Sequence, residues 1–375
     1  MKGYGRKTLI LCPVCGQTAL RYDSRRWQHL NAMQRKTFIV ADVPGVNCPQ
    51  CVVKQIEMAW AEDWSRFTKL FEAFAIQVLK AVRSKARAPR LTALSWDPVD
   101  RIAARAVHRG RGRRFLEGLS YTWLDEKCFE REHDYVSVLR DIVGKRVFDV
   151  APERTREAAD MLWVTIPEAR RQGIAACAMD MQETYLEATR AVGPQTVTVH
   201  DKFHCAKELN KAVDLVRRQE HRGLKAQGQQ TLTRTKYVWL ENPRSWTQCR
   251  RGSFQSLRIE TLKVGRAWSI KKAFAEFWNY HYAGPEKKFF DRWYFWANHS
   301  RLELIITAAK ALKRHFPGLL AYTKHRITNA AAEGTNGRIQ LFKASARGYR
   351  NFAQYRISML FHCGILDLCP NGCVP

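Results

Sequence analysis

Residues 173–180 read GIAACAMD, a run of small and apolar residues closed by one aspartate. The run is too short for a helix and has no polar face. A segment apolar on both sides is what a strand inside a covered sheet requires. Its last residue, Asp180, falls at the C-terminal end of that strand, the end at which open α/β sheets build their sites. Upstream, SYTWLDEKCF (120–129) reads as a strand ending at Asp125. DYVSVLRDIVGKRVFDV (134–150) reads as two strands joined by a turn at Val143-Gly144-Lys145, and residues 153–163 as an amphipathic helix. Downstream, a helix over 182–192 is closed by Gly193-Pro194. QTVTVHDKFH (195–204) is a further strand leading to Asp201 and His204.

The element order is therefore β-β-β-α-β-α-β, which is the order of the ribonuclease H-like fold: an α/β class, with a mixed sheet covered by helices on both faces. The chain has 375 residues, enough for two or three domains, and 46% hydrophobic residues, which excludes global disorder. Lys and Arg number 63 against 35 acids, a net charge of +28. So large an excess points to a polyanionic partner, most simply double-stranded DNA or another nucleic acid, bound through counterion release. An anionic membrane is the other candidate, but no amphipathic anchor or long apolar run supports it. The N-terminal MKGYGRKTLILCPVCG has no signal-peptide core, so a cytoplasmic protein is expected, and with a DNA partner a nucleoid-associated one.

In a reducing compartment cysteines serve as thiols or metal ligands rather than disulfides. Cys12-Pro-Val-Cys15 and Cys48-Pro-Gln-Cys51 are matching knuckles that place four thiolates around one structural Zn²⁺, so residues 1–55 read as a zinc ribbon with a hairpin around Thr37–Val40. Free cysteines or a redox pair are the alternatives. Residues 56–115 read as a helix-turn-helix domain. A long amphipathic helix starts near Met58 and uses Trp60, Trp64, Phe67, Phe74 and Val78; after Pro89 comes a basic helix with Asp97 as cap and Pro98 at its first position. Val99, Ile102, Ala103 and Ala106 point inward there. That leaves Arg101, Arg105 and Arg109 on an open face for DNA; a solvated basic helix is the plainer reading. The first part of the sheet domain covers 116–204. Residues 205–325 turn helical, basic and rich in Trp, and form an all-α insertion. Trp at helical spacing is commonly core, but Trp239 and Trp246, near basic residues, are candidates for stacking on an unpaired base. The second part of the core covers 326–375. In it ITNAAAEGTNGRIQLFKASARGYRNF (327–352) places Glu333 beside Arg338, Lys343, Arg347 and Arg350, which would hold DNA phosphates. Asn336 lies about one turn beyond Glu333.

Asp125 and Asp180 end strands expected to be neighbours. Converging carboxylates form a cage for Mg²⁺ or Mn²⁺, and two such ions per site support in-line phosphoryl displacement. Glu333, on a helix at the same sheet edge, is the third candidate ligand. A lone strand-end Asp can equally cap the next helix, and Glu126, Asp141 and Asp149 are acids nearby, so spacing alone leaves the choice open. Asp201 and His204 can orient the strand end, hold the scissile phosphate, or fix the start of the insertion.

The blocks WLDEKCFEREHDYVSVLRD, AACAMDMQETY, VTVHDKFHCAKELNKAVDLVRRQE and ITNAAAEGTNGRIQLFKASARGYRNF resemble those of bacterial insertion-sequence DDE transposases of the ISL-three type, as do CPVCG and SWDPVDRI. The resemblance spans nearly the whole chain. It implies that Asp125, Asp180 and Glu333 are the catalytic acids holding the metal ions, and that Asp201-Lys-Phe-His204 is the family's D-x-x-H. It further implies a transposase that binds the terminal inverted repeats of its element, cuts and joins strands, and works as a homo-dimer or larger assembly. Ala330 stands where the family has Gly, and Gln340 where it has Lys. A non-cutting regulator and a metal-dependent nuclease of the same fold are the other functions this pattern allows.

Overall fold

The computed structural model describes residues 10–11, 15–16, 18–19, 22–48, 52–55, 58–82, 87–129, 135–257, 261–327, 329–346 and 348–373. They form two compact units, one of residues 1–115 and 338–375, the other of residues 116–337.

The first unit begins with strands. β1 (Ile10–Leu11) and β2 (Thr18–Ala19) pair antiparallel, and β3 (Tyr22–Ala32), β4 (Arg35–Cys48) and β5 (Val52–Gln55) make a three-stranded antiparallel sheet. The hairpin expected near Thr37–Val40 is thus much longer, with β3 and β4 paired from Tyr22↔Pro44 to Ala32↔Arg35. Met33 and Gln34 turn it with φ of 48° and 61°, the two positive values of a tight hairpin turn. Three helices follow: α1 (Lys69–Val82), α2 (Ala88–Thr92) and α3 (Trp96–Gly112).

α1 starts eleven residues later than its aromatic spacing predicts. The backbone before it is engaged with β3: Gln28 N–H donates to Arg66 O at 2.9 Å and Thr68 N–H to Gln28 O at 3.0 Å. Trp64 has φ of +59°, outside any helix, and is exposed, while Trp60 stands edge-on to buried Trp27. In α3 the stripe Val99, Ile102, Ala103 and Ala106 is buried as its spacing predicts. Ser95, not Asp97, occupies the cap position, and Asp97 sits in the first turn.

The second unit is built on β6 (Tyr121–Cys128), β7 (Tyr135–Asp141) and β8 (Arg146–Pro152), an antiparallel meander. Helices α4 (Arg156–Val164) and α5 (Glu168–Arg171) lead to β9 (Ala176–Met179); α6 (Glu183–Val192) leads to β10 (Val197–His200). β9 runs parallel to β6, and β10 parallel to β9, giving the order β10-β9-β6-β7-β8. Every residue of β9 is buried, as the opening run requires.

Alternation divides the sheet into two faces. Leu124, Leu139, Phe148, Cys177 and Met179 pack with Leu162, Trp163, Tyr185 and Leu186 of α4 and α6. Trp123, Ala176, Ala178 and Val199 pack with the helical insertion. That insertion runs α7 (Lys202–Ala226), α8 (Lys236–Leu240), α9 (Gln248–Gln255), α10 (Lys263–Phe274), α11 (Ala283–Asn298), α12 (Glu303–Arg314) and α13 (Phe316–His325), with no strand among the described residues. α14 (Asn329–Ala346) and α15 (Phe352–Cys363) complete the chain. The unit boundary falls after Gly337, within α14. The sequence grouped 326–375 with the sheet, but α15, with Tyr355, Met359 and Leu360 buried, packs against α3 in the first unit.

Candidate active site

Three aspartates line up through strand register. Leu124 is level with Met179, and Met179 with His200. The next residue along each chain is Asp125, Asp180 or Asp201. Each lies two positions beyond Trp123, Ala178 or Val199, the residues that face the insertion, so alternation directs them toward α7. β6 does not end at Asp125, as its sequence suggests. It runs on to Cys128 against β7, with Asp125 opposite Val138, while its parallel ladder to β9 stops one residue earlier. Asp125 therefore stands where the sheet loses a neighbour, beside the end of β9.

The charges around these acids sort them. Asp125 is buried; its Oδ2 lies 2.9 Å from Lys127 Nζ and 3.4 Å from a guanidinium nitrogen of buried Arg140. Its Oδ1 accepts the Glu126 N–H at 2.9 Å. Asp180 Oδ1 accepts the Met181 N–H at 2.6 Å. The acids that spacing left equivalent have structural partners. Asp141 holds the β7–β8 turn through Gly144 N–H and Arg146, at 2.9 and 2.8 Å, and Glu126 accepts from Gln182 and Arg154. The sequence reading missed Lys127 and Arg140. Lys127 had a signal: two residues from Asp125 on one strand, it shares that residue's face.

His204, from the first turn of α7, reaches both remaining aspartates. Its Nε2 is 3.9 Å from Asp180 Oδ2 and its Nδ1 3.5 Å from Asp201 Oδ2. Among the described residues, buried Asp201 Oδ2 and His204 Nδ1 have no closer hydrogen-bond partner, so this contact is a long ion pair. Burial disfavours the imidazolium, but the Asp201 carboxylate beside it and the charges of Asp180 and Asp125 outweigh that, and its pKa rises above the ordinary value. His200, beneath, behaves oppositely. Burial, then the neighbouring His315, holds its pKa down to about 4.

Among the described residues no three His, Cys, Asp or Glu side chains cluster as a metal site. Glu333 lies on α14, and its side chain is outside the described residues. Cys12, Cys51 and Arg347 also lie outside them; Cys48 ends β4, and Cys15 is in an exposed turn. The site's own donors, Asp125 and Asp180, offer only carboxylate oxygen, and Asp125 already draws two cations to itself. Both properties fit a hard divalent ion.

Several residues read as DNA contacts have other occupations. Arg101 and Arg350 are exposed, with Arg350 over the Trp96 ring at 4.8 Å. Arg105 instead pairs with Glu72, a carboxylate fully buried under α3, and Arg109 pairs with Glu62 and donates to Leu368 O at 2.8 Å. Arg338 donates to His362 O at 2.9 Å, and Lys343 is half-buried. Trp239 and Trp246 are core: Trp239 Nε1 donates to Thr235 Oγ1, and both rings pack on Phe254. They are not available to a base. Asn336 is half-buried, and its Oδ1 has no hydrogen-bond partner among the described residues.

A parallel-edged sheet with level aspartates and a long helical insertion agrees with the motifs. A family model described as a transposase, of the DDE ISL3 type, matches residues 123–359. The chain belongs to that family of insertion-sequence transposases. A second model, the zinc-finger of the transposases of IS204, IS1001, IS1096 and IS1165, matches residues 8–51. The chain is 24% identical over 350 residues to the transposase for insertion sequence element IS1001 of Bordetella parapertussis, covering 92% of this chain and 86% of that one. It is 24% identical over 370 residues to the transposase for IS1557 of Mycobacterium tuberculosis, covering 91% and 82%. No helix among the described residues is long and apolar enough to cross a membrane.

Proposed function

We propose that the protein is an active DNA transposase that binds the terminal inverted repeats of its own element, cuts there and joins the freed strand to target DNA. The observation that carries this is the level placement of Asp125 and Asp180 on adjacent parallel strands. The strand order supports a ribonuclease H-like core, and α2 followed by α3 supports a helix-turn-helix. Asp125, Asp180 and Glu333 would hold two Mg²⁺ or Mn²⁺ ions. Bound there, the ions would supply charge stabilisation to an in-line phosphoryl displacement and lower the pKa of the attacking hydroxyl. The chain's own residues prepare the site. Lys127 and Arg140 pair with Asp125 and orient its carboxylate. His204 lies between Asp180 and Asp201 at the same edge, and the neighbouring carboxylates favour its charged form. The net charge of +28 binds duplex phosphates along the rest of the surface. Cys12, Cys15, Cys48 and Cys51 would hold one Zn²⁺ in the N-terminal ribbon. Cutting both ends of an element requires a dimer or larger assembly, acting in the cytoplasm at the nucleoid.

The test is a plasmid bearing the element's ends, incubated with purified protein and Mg²⁺. Wild type yields end cleavage and strand transfer. Asp125→Ala, Asp180→Ala and Glu333→Ala each reduce cleavage by at least roughly 10²-fold while retaining end binding. Cleavage undiminished in these variants removes the site assignment. Binding without cleavage by wild type makes the protein a regulator.

A further inference from the structure

α11 (Ala283–Asn298) has one face that the core does not use. Glu286, Phe290, Trp293 and Ala297 are buried on the inner side. On the outer side Lys288, Arg292, Phe295 and His299 fall within about 60° of one another around the helix axis, and all are exposed. Phe295 is 65% exposed and Trp296, at the flank, 42%. The Phe295 and His299 rings lie 4.1 Å apart, tilted by 34°, a preformed pair. Asp291, also exposed, lies at the edge of this face.

We propose that this face of α11 binds single-stranded DNA, with Phe295 and Trp296 stacking on unpaired bases and Lys288 and Arg292 holding the backbone. The chemistry selects the partner. Flat rings exposed beside cations match a partner with both π faces and phosphates. A second copy of the chain is disfavoured, because the face would meet its own positive charge. Duplex DNA buries its base faces, so rings on the open side of a helix have nothing there to stack on. This inference rests on the transposase reading, since duplex opening around the cut at element ends is what would supply unpaired bases. It also replaces Trp239 and Trp246, which the core encloses, with residues that a base can reach.

The probes are a labelled oligothymidine and a mixed-sequence duplex, with binding read by fluorescence anisotropy without divalent ions. Phe295→Ala and Trp296→Ala are expected to weaken oligothymidine binding roughly 5- to 100-fold, with duplex binding within about twofold of wild type. Lys288→Ala with Arg292→Ala should weaken both and flatten the salt dependence. All four side chains are exposed, so folding is preserved, checked by unchanged circular dichroism. Oligothymidine binding unchanged in Phe295→Ala and Trp296→Ala overturns the proposal, as does an equal loss on duplex. Because no cutting is read, a wild type that binds oligothymidine but leaves plasmid ends intact refutes only the transposase activity.

Discussion

Gly318 sits where α13 passes over β10, and a single methyl group there tests the packing beneath the candidate site. A Cβ at 318 would stand 2.3 Å from Cδ2 and 2.8 Å from Nε2 of His200. Contacts that short do not occur, so the ring or the helix must move. The ring has little room: His200 is buried, its Nδ1 lies 3.4 Å from Met179 O, and His315 stands edge-on at 5.1 Å. Overpacking of this kind costs about 1–3 kcal/mol, occasionally more. Gly318→Ala should therefore lower the urea midpoint of the second unit's transition with little change in slope. The cause is checked by a double-mutant cycle. His200→Ala alone is destabilising, but it opens the space the new methyl needs, so Gly318→Ala should cost less in that background. The expected coupling is about 1 kcal/mol or more. Additivity within about 0.5 kcal/mol, or a Gly318→Ala protein as stable as wild type, would refute the argument that His200 forbids a side chain here.

Two further perturbations follow from buried titratable groups. His200 has a folded pKa of about 4 against an ordinary 6.5, so the unfolded chain binds more protons between those values. Stability should rise from pH 4 to pH 6.5 and level off above, by roughly 3 kcal/mol for this one group. His204 has the opposite sign: its raised pKa contributes below pH 6.5 and is lost above, as pH passes through the folded value. Urea midpoints across pH 4–8 should show a shallower acid limb in His200→Gln, and identical limbs would rule out the assignment. Lys271 Nζ, its pKa held down to about 8 by burial, donates to Asn210 Oδ1, Trp239 O and Leu240 O at 2.8, 2.7 and 3.1 Å. Lys271→Met leaves those acceptors without a donor, at about 1–3 kcal/mol for each group that water cannot reach. Calorimetry showing an unchanged melting temperature would mean that water reaches the end of α8.

Local signals and long-range ones were not equally legible in the sequence. The central strand could be read from GIAACAMD because a run without a polar face has few places to go, and β9 is buried throughout. The inner stripe of α3 could be read for the same reason. What periodicity omits is the identity of the covering surface. Arg105 and Arg109 fall on the outer side of α3 by spacing, yet Glu72 and Glu62, far off in sequence, meet them there. No window along the chain contains both partners. The tryptophans of the insertion show the same limit in reverse. Their proximity to basic residues suggested a nucleic-acid surface, but the segment carries enough aromatic rings to enclose Trp239 and Trp246, leaving Phe295 and Trp296 outside. Trp60 and Trp64 keep helical spacing and form no helix, because β3 takes the backbone hydrogen bonds that a helix through Arg66 would need. The aspartates were legible through a different rule. Asp180 and Asp201 follow short strands, Asp125 stands inside β6 just past the end of its parallel ladder, and parallel strands in register bring the three to one level. Their joint placement therefore depends on strand order and register. A one-residue slip of β9 against β6 would turn Asp180 to the other face and away from His204. Register, rather than any one carboxylate, is the physical condition on which the proposed chemistry depends.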